Sequence, residues 1–244
     1  MNNKELLDAV CPTIGALGSA FYFIPETAAL GKELGLGGME FYVQGRGGQL
    51  GNTDSAAVAA AFGYFSPALV KSVWDAACAK CEPRKAGTAH MQAAANLGRA
   101  KLSSLSNLDA FVAAMDKVNN SANPEGLGLY AAMRTETLAS DAAGRAMQLI
   151  AILREFRGSA HLIALRAVGL DGKVAHASKR PDMWKQFGYS EDEMPVIDDA
   201  VKAKMAEAER LTDAIVESAY GTLNDAERDA LVAGIQAAKE ALAS

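Results

Sequence analysis

"LREFRGSAHLIAL", residues 153–165, places two arginines and a histidine within an otherwise apolar segment. In an α-helix, which turns by about 100° per residue, Arg154, Arg157 and His161 share one face, and apolar side chains occupy the opposite face. A helix that is apolar on two sides is usually buried. Because buried guanidinium groups need partners, we expect these three side chains to line an interior cavity or to pair with acids.

Two interpretations of this face stay open. In the structural one, Arg154 and Arg157 bridge to carboxylates such as Glu26 and lock two elements together. In the functional one, the two guanidiniums and the imidazole form an anion site for a carboxylate or a phosphate. Gly158 would let such a ligand approach the backbone, and His161 would donate a hydrogen bond to it or transfer a proton.

The rest of the chain predicts an all-α fold. Of its 244 residues, 50% are hydrophobic but only 7% are aromatic, and the alanine-rich segments favour helix over sheet. Most segments repeat their apolar residues with the helical period. The only candidate strand is "MEFYVQ", residues 39–44. The expected helices span residues 25–36, 51–65, 85–103, 107–119, 141–168, 196–219 and 223–242, with one more that starts at Pro67.

The composition argues against several classes of protein. A net charge of −5 supplies little of the positive field that non-specific nucleic-acid binding needs, so DNA binding is possible but disfavoured. No run approaches the roughly 18 apolar residues of a membrane span. The amphipathic start "MNNKELLDAVC" is not a signal peptide. Three cysteines are consistent with reduced thiols in a cytoplasmic protein.

The motif "CAKC" contains Cys78 and Cys81 and is a weak signal for metal or redox chemistry. Zinc would need two further ligands, and only Cys11 and His90 are candidates. A redox site would need a strand–helix context, which the flanking segment does not offer. We therefore expect structural thiols, assign no metal ligand, and identify no cofactor from the sequence.

A second candidate anion site is "YVQGRGGQLGNTD", residues 42–54, where four glycines and Arg46 precede a capped helix. Backbone N–H groups in such a loop can hold an anion at a helix N-terminus. The segment is neither a Walker A motif nor a dinucleotide fingerprint. The alternative is a tight connection between closely packed helices.

The glycines also indicate an internal repeat. "ELGLGG" (33–38) and "AVGLDG" (167–172) each follow a helix, and Gly-Leu-x-Gly recurs in both. One interpretation is that two helices simply share a common glycine ending. The other is a duplication into similar halves, residues 1–122 and 123–244, divided near the linker "NNSANPEG" (119–126).

Aromatic residues are concentrated in the first third of the chain. At helical spacing such residues more often form core, but they could also wall a flat hydrophobic ligand. We select Tyr22, Tyr42, Phe62 and Phe65 as walls of the ligand site, with Glu26 and Arg46 completing its rim.

Three pieces of the chain together resemble SalK-like helix-turn-helix proteins, a poorly characterised and mainly actinobacterial family. They are "FIPETAALGKELGLGGMEFYVQGRGGQLG" (23–51), "VAAAFGYFSPALVKSVW" (58–74) and "LREFRGSAHLIALRAVGLDG" (153–172). The last is the most specific, with an Arg-Glu-x-Arg-Gly-x-x-His pattern. The resemblance implies a largely helical scaffold derived from winged-helix domains, in two similar halves.

The tail, residues 208–235, is similar to the closing helices of MarR-type winged-helix regulators. Such relatives dimerise through their terminal helices, so the resemblance implies a homodimer. The chain departs from the family before this tail, because "PVIDDAVKAKM" leaves no room for a wing. We therefore expect the C-terminal wing to be reduced or lost, which weakens the case for the usual docking on DNA.

Three functions remain. The first is a small-molecule-binding protein whose ligand is an anion with a flat apolar part. The second is a MarR-type transcriptional regulator, for which Lys71, Arg84, Lys85, Arg99 and Lys101 supply only a modest, scattered positive charge in the first half. The third is a cofactor-independent enzyme that uses His161 as acid or base.

Overall fold

The computed structural model describes residues 1–243, which contain α-helices, short 3-10 turns and no strand. The all-α prediction is confirmed. The helices are α1 (Asn3–Leu17), α2 (Pro25–Glu33), α3 (Gly38–Gly47), α4 (Ser55–Phe62), α5 (Pro67–Cys78), α6 (Pro83–Leu102), α7 (Leu108–Ser121), α8 (Gly128–Met133), α9 (Ala142–Ala167), α10 (Gly172–Lys179), α11 (Asp199–Tyr220) and α12 (Asp225–Ala243).

The predicted strand at 39–44 is wrong, because these residues lie in α3. The Glu40 carboxylate accepts a hydrogen bond from the Gly37 N–H at 2.8 Å and so caps the start of the helix. One turn apart, Arg46 Nη1 donates to the Tyr42 hydroxyl at 2.8 Å. A short, largely apolar segment does not distinguish a strand from a buried helix, and here packing selects the helix.

Helix α9 forms the centre of the fold and is buried along most of its length, as its two apolar sides predict. It packs against α1, α6, α7, α8 and α11. Asp141 caps its start by accepting a hydrogen bond from the Gly144 N–H at 2.8 Å. The helix ends before Gly169, whose φ of 73° lies in the left-handed region that glycine adopts without strain.

One large core connects the two ends of the chain. Its buried side chains run from Leu6 in α1 to Ala238 in α12 and come from both sides of residue 122. A smaller cluster joins the end of α9 to α10 and α11. The predicted division into residues 1–122 and 123–244 therefore stays a prediction, since the two parts share their principal core.

Two helix–turn–helix connections have the same backbone geometry. The first joins α2 to α3 and the second joins α9 to α10, each through four residues. In the first, the Leu36 N–H donates to Gly31 O at 2.9 Å, and in the second the Leu170 N–H donates to Leu165 O at 2.9 Å. Such a pair is what a duplication would leave. A winged-helix origin of the halves stays a prediction, because residues 1–243 hold no strand that could form a wing.

Within the described residues, no helix combines the length and the apolar character needed to cross a bilayer.

Candidate functional site

A cavity of about 810 Å³ lies beside the central helix, within the size range of small-molecule sites. Helix α9 forms one wall, and α1, α3, α4, α10 and α11 surround it. About two and a half helical turns of α9 face it, from Arg154 to Leu162. Gly18, just after α1, lets that helix approach closely, because a Cβ there would lie 2.6 Å from the Cβ of Arg154.

One side of the cavity holds a buried cluster of two arginines around Glu155. The Glu155 carboxylate accepts hydrogen bonds from Arg46 Nη2 at 2.9 and 3.0 Å and from Arg154 Nη1 at 2.5 Å. The Tyr22 hydroxyl donates to the same carboxylate at 3.2 Å. Two guanidiniums against one carboxylate leave this cluster with one positive charge.

The electrostatics of the cluster favour the ionised carboxylate. Burial alone would raise the pKa of Glu155, but the charges of Arg46 and Arg154 outweigh this and lower it to about 2. Arg46 uses its donors on Glu155 and Tyr42. By contrast, Arg154 Nε and Nη2 make no hydrogen bond to protein within residues 1–243, so they can serve a ligand.

Aromatic rings adjoin this charge. The Arg46 guanidinium lies 4.4 Å from the centre of the Phe62 ring, and Phe65 lies 6.0 Å from Phe62, centre to centre. Phe187 stacks on Phe65 with 3.9 Å between ring centres and on His176 at the same spacing. These rings give the cavity an apolar, aromatic wall beside its basic residues.

The other end of the cavity holds a second charged cluster, which is neutral as a whole. Arg157 Nη2 donates to Glu209 at 3.0 Å and to Asp213 at 2.8 Å. Lys179 also binds Glu209. Two positive and two negative charges therefore cancel. Both carboxylates come from α11, where Glu209 and Asp213 lie four residues apart on one helical face.

His161 lies beside this cluster and is only 6% exposed. Its Nδ1 is 2.8 Å from the Thr212 hydroxyl, whereas its Nε2 is buried without a hydrogen-bond partner in the described structure. The carboxylate oxygen Oε1 of Glu209 lies 3.9 Å from Nε2. Burial, helped by Lys179 and Arg157 and opposed by Glu209, lowers the pKa of His161 to about 4, so the ring is neutral at neutral pH.

The structure brings together most of the residues selected from the sequence. Tyr22 lies behind Arg154 and Glu155 instead of in the lining, and Glu26 is exposed at the start of α2. The predicted pairing of Arg154 and Arg157 with Glu26 is wrong, since their acids are Glu155 on α9 and Glu209 and Asp213 on α11. The predicted residues that line the cavity are Tyr42, Arg46, Phe62, Phe65, Arg154, Arg157, Gly158 and His161.

The predicted glycine-rich anion loop at 42–54 is also wrong over most of its length. Residues up to Gly47 belong to α3, and Gly48–Leu50 form a 3-10 turn. The glycines allow close packing, which was the alternative interpretation: a Cβ at Gly48 would lie 2.0 Å from Pro83 O, and one at Gly45 would lie 2.6 Å from His90. The cap of α4 is as expected, with Asp54 accepting from the Ala57 N–H at 3.0 Å.

Several residues that line the cavity, or that contact its charged side chains, are not among those predicted from the sequence. Glu155 lies on the same buried helix as the arginines, and an acid in an otherwise apolar helix predicts a paired charge. Glu209, Thr212 and Asp213 lie on one face of α11, where they interrupt an apolar stripe. Tyr64 belongs to the aromatic concentration in the first third of the chain, but it is not among the residues selected as walls. No local pattern points to the rings of His176 and Phe187, because only the tertiary fold brings them to the cavity.

Comparison with known proteins gives one result. The model of a family described as a helix-turn-helix family matches residues 8–244, nearly the whole chain. Neither the comparison with curated proteins nor that with solved structures finds a match. The narrower resemblance to SalK-like proteins stays a prediction.

Proposed function

We propose, from the premise that this chain belongs to the helix-turn-helix family, that it is a small-molecule-binding protein built on a regulator-like helical scaffold. Its ligand is an anion with a flat apolar part. The observation that carries this proposal is the cavity of about 810 Å³, in which unused guanidinium donors of Arg154 face the same space as the rings of Phe62 and Phe65.

The anionic group of the ligand belongs beside Arg154. Arg46 and Arg154 share one carboxylate, so the cluster has a surplus positive charge, and that charge lies in a partly enclosed cavity, where an ion pair with a ligand is stronger than in open solvent. Arg157 is less suitable because Glu209 and Asp213 already neutralise it. The flat apolar part of the ligand would then lie against the aromatic wall.

DNA recognition through the helix–turn–helix geometry fits the structure less well. In the usual docking, the second helix of the pair enters the major groove. Here that helix is α3, in which Phe41–Gly47 are all buried, and Arg46 is held by Glu155. In the second pair, α10 is covered on one side by the segment that carries Trp184 and Phe187.

A titration with 2-naphthoate and 2-naphthamide tests the proposal. The two probes share a flat fused ring and differ in charge. We expect 2-naphthoate to bind at least about tenfold more tightly than the amide, which corresponds to about 1.4 kcal/mol. Arg154→Met should remove this preference and leave the helical circular-dichroism spectrum unchanged, because Arg46 still pairs with Glu155.

Arg145→Met is the matched control. Arg145 also lies on α9, but it pairs with Asp116 at 2.8 Å and does not line the cavity, so this variant should keep the preference for the anion. The double variant Arg157→Ala, His161→Ala should lose retention of any anionic compound that copurifies with the protein and is detected by native mass spectrometry, because without Arg157 the carboxylates of Glu209 and Asp213 repel an anion. Equal binding of the two probes, or binding of neither, would overturn the proposal.

A further inference from the structure

We propose that the ligand carries a second polar group, a hydroxyl or an amino group, which donates a hydrogen bond to Nε2 of His161. This inference rests on the proposed function and adds to it the chemistry at the other end of the ligand.

We infer from the hydrogen bonds around Thr212 which nitrogen of His161 carries the proton. The Thr212 hydroxyl donates its single proton to Ala208 O at 2.7 Å. It can therefore only accept from His161, whose Nδ1 lies 2.8 Å away. Nδ1 is thus the protonated nitrogen of the neutral ring, and Nε2 carries a lone pair.

That lone pair has no protein donor. Nε2 is buried and has no hydrogen-bond partner within the described residues. His161 as a whole is 6% exposed and lines the cavity. Glu209 is an acceptor as well, and it already binds Arg157 and Lys179. A buried acceptor without a partner is unfavourable, and a donor supplied by the ligand would remove that cost.

The alternative is a protonated His161 that pairs with Glu209. The distance of 3.9 Å from Nε2 to Glu209 Oε1 is too long for a hydrogen bond. The charged groups around the ring are Glu209, Arg157 and Lys179, and the two cations oppose a third positive charge. The arrangement therefore fits a neutral ring that accepts from a ligand.

The helix sets the separation of the two polar ends of the ligand. Arg154 and His161 are seven residues apart on α9, which corresponds to about 10 Å along the helix axis. Gly158 lies between them, and a Cβ there would meet nothing within 4 Å. A ligand with two fused rings can lie over Gly158 and reach toward both side chains.

The experiment compares 2-naphthoate, 6-hydroxy-2-naphthoate and 6-methoxy-2-naphthoate on the full chain by fluorescence titration. The hydroxyl can donate to Nε2, whereas the methoxy group cannot. We expect the hydroxy compound to bind about tenfold more tightly than the parent, as one hydrogen bond to a buried acceptor predicts. The methoxy compound should bind no better than the parent.

Thr212→Val tests the tautomer, because it removes the acceptor that holds the proton on Nδ1. In this variant the preference for the hydroxyl should disappear while 2-naphthoate still binds. Thr222→Val is the matched control, since the Thr222 hydroxyl makes the same kind of bond to Ala219 O at 2.7 Å but makes no hydrogen bond to a histidine among the described residues, whereas Thr212 contacts His161. Long-range ¹H–¹⁵N spectra should show His161 protonated at Nδ1 alone at neutral pH.

The outcomes separate this inference from the proposed function. If 2-naphthoate binds but the hydroxyl adds nothing, or if the spectra show a doubly protonated His161, the inference is wrong and the anion site stands. If none of the three compounds binds, both are wrong. A preference for the hydroxyl that survives Thr212→Val would also overturn the role given to Nε2.

Discussion

Glu155 is the single carboxylate that holds two guanidiniums in the interior. Its removal would leave Arg46 and Arg154 buried without a counter-charge, although Tyr42 and Tyr22 still accept from them. We expect Glu155→Gln to lower the free energy of unfolding by about 3 kcal/mol, the cost of breaking a buried pair. Urea denaturation measures this. The control is Asp75→Asn, which removes an exposed pair with Lys71 and should change stability little.

One result would contradict the prediction for Glu155. If Glu155→Gln unfolds at the same urea concentration as Asp75→Asn, the cluster contributes no more than a surface pair, and the charge balance given to the cavity is incorrect.

The buried histidines make stability depend on pH. Burial lowers the pKa of His90 to about 3 and that of His161 to about 4, whereas an unfolded histidine titrates near 6.5. Below about pH 6.5 the unfolded chain therefore binds more protons than the native one, so the free energy of unfolding falls as pH drops toward 4.

Urea denaturation between pH 8 and about pH 4.5 tests this titration. We expect stability to be level above pH 7.5 and then to fall by up to about 1.4 kcal/mol per pH unit for each buried histidine. His161→Gln should make the fall shallower, because one titrating group is gone. A free energy of unfolding that stays constant from pH 8 to pH 5 would show that these rings are not neutral in the native state.

At the scale of the helices, two glycines of the central packing predict opposite effects. Gly158 on α9 faces open space, whereas a Cβ at Gly98 on α6 would lie 2.2 Å from Ala143 O. Gly158→Ala should raise the free energy of unfolding by about 0.5–1 kcal/mol, since alanine favours helix. Gly98→Ala should lower it, because α6 must move away from α9. Thermal denaturation of both variants measures these changes in stability. A destabilised Gly158→Ala variant would mean that there is no open space beside Gly158.

Gly158 also tests where the ligand lies. Gly158→Leu places a large side chain in the cavity between Arg154 and His161 without a clash in the empty protein. Binding of 2-naphthoate should weaken by at least about tenfold while the protein stays folded. Gly38→Leu is the control, because Gly38 is exposed at the start of α3 and is also free of neighbours. Unchanged binding in Gly158→Leu would move the ligand away from α9.

The helices show what a sequence pattern can and cannot predict. Caps, glycine endings and the helical period are local, so the central helix, predicted at residues 141–168, is found at Ala142–Ala167. The error at 39–44 arose because a short apolar run has no period of its own. Likewise, the sequence offers the glycines at 45–48 as a possible loop, whereas in the structure they allow the close contact of α3 with α5 and α6. Such a contact depends on the partner helix and not on the segment.

At the scale of the whole molecule, the same limit applies to the cavity. The helical period placed Arg154, Arg157 and His161 on one face, and all three line the cavity. Their partners could not be predicted, because Glu209 and Thr212 are about fifty residues away and only the packing of α11 on α9 brings them near. The single anion site expected from the sequence is therefore divided into a positively charged cluster at Arg154 and a neutral cluster at Arg157.

The homodimer that the sequence implies stays a prediction. The apolar faces of the terminal helices are used within the chain, where α12 packs on α1 and α7 and α11 packs on α9. Their outer faces would have to form the dimer. Sedimentation velocity should give a mass close to twice 25.5 kDa if the prediction is correct, whereas a mass of one chain over the whole range of concentration would contradict it.

The charge of the whole molecule leads to a last prediction, on DNA. The net charge is −5, and three of the scattered basic residues, Lys71, Arg84 and Arg99, are paired with acids on the surface. Within the described residues, α3 is buried and α10 is covered on one side, so neither second helix of the two helix–turn–helix pairs is as open as docking in a major groove requires. Gel shifts with genomic fragments should therefore show no retardation at micromolar protein in about 100 mM salt. Retardation that weakens steeply with added salt would demonstrate phosphate contacts and restore a regulator that reads DNA through another surface.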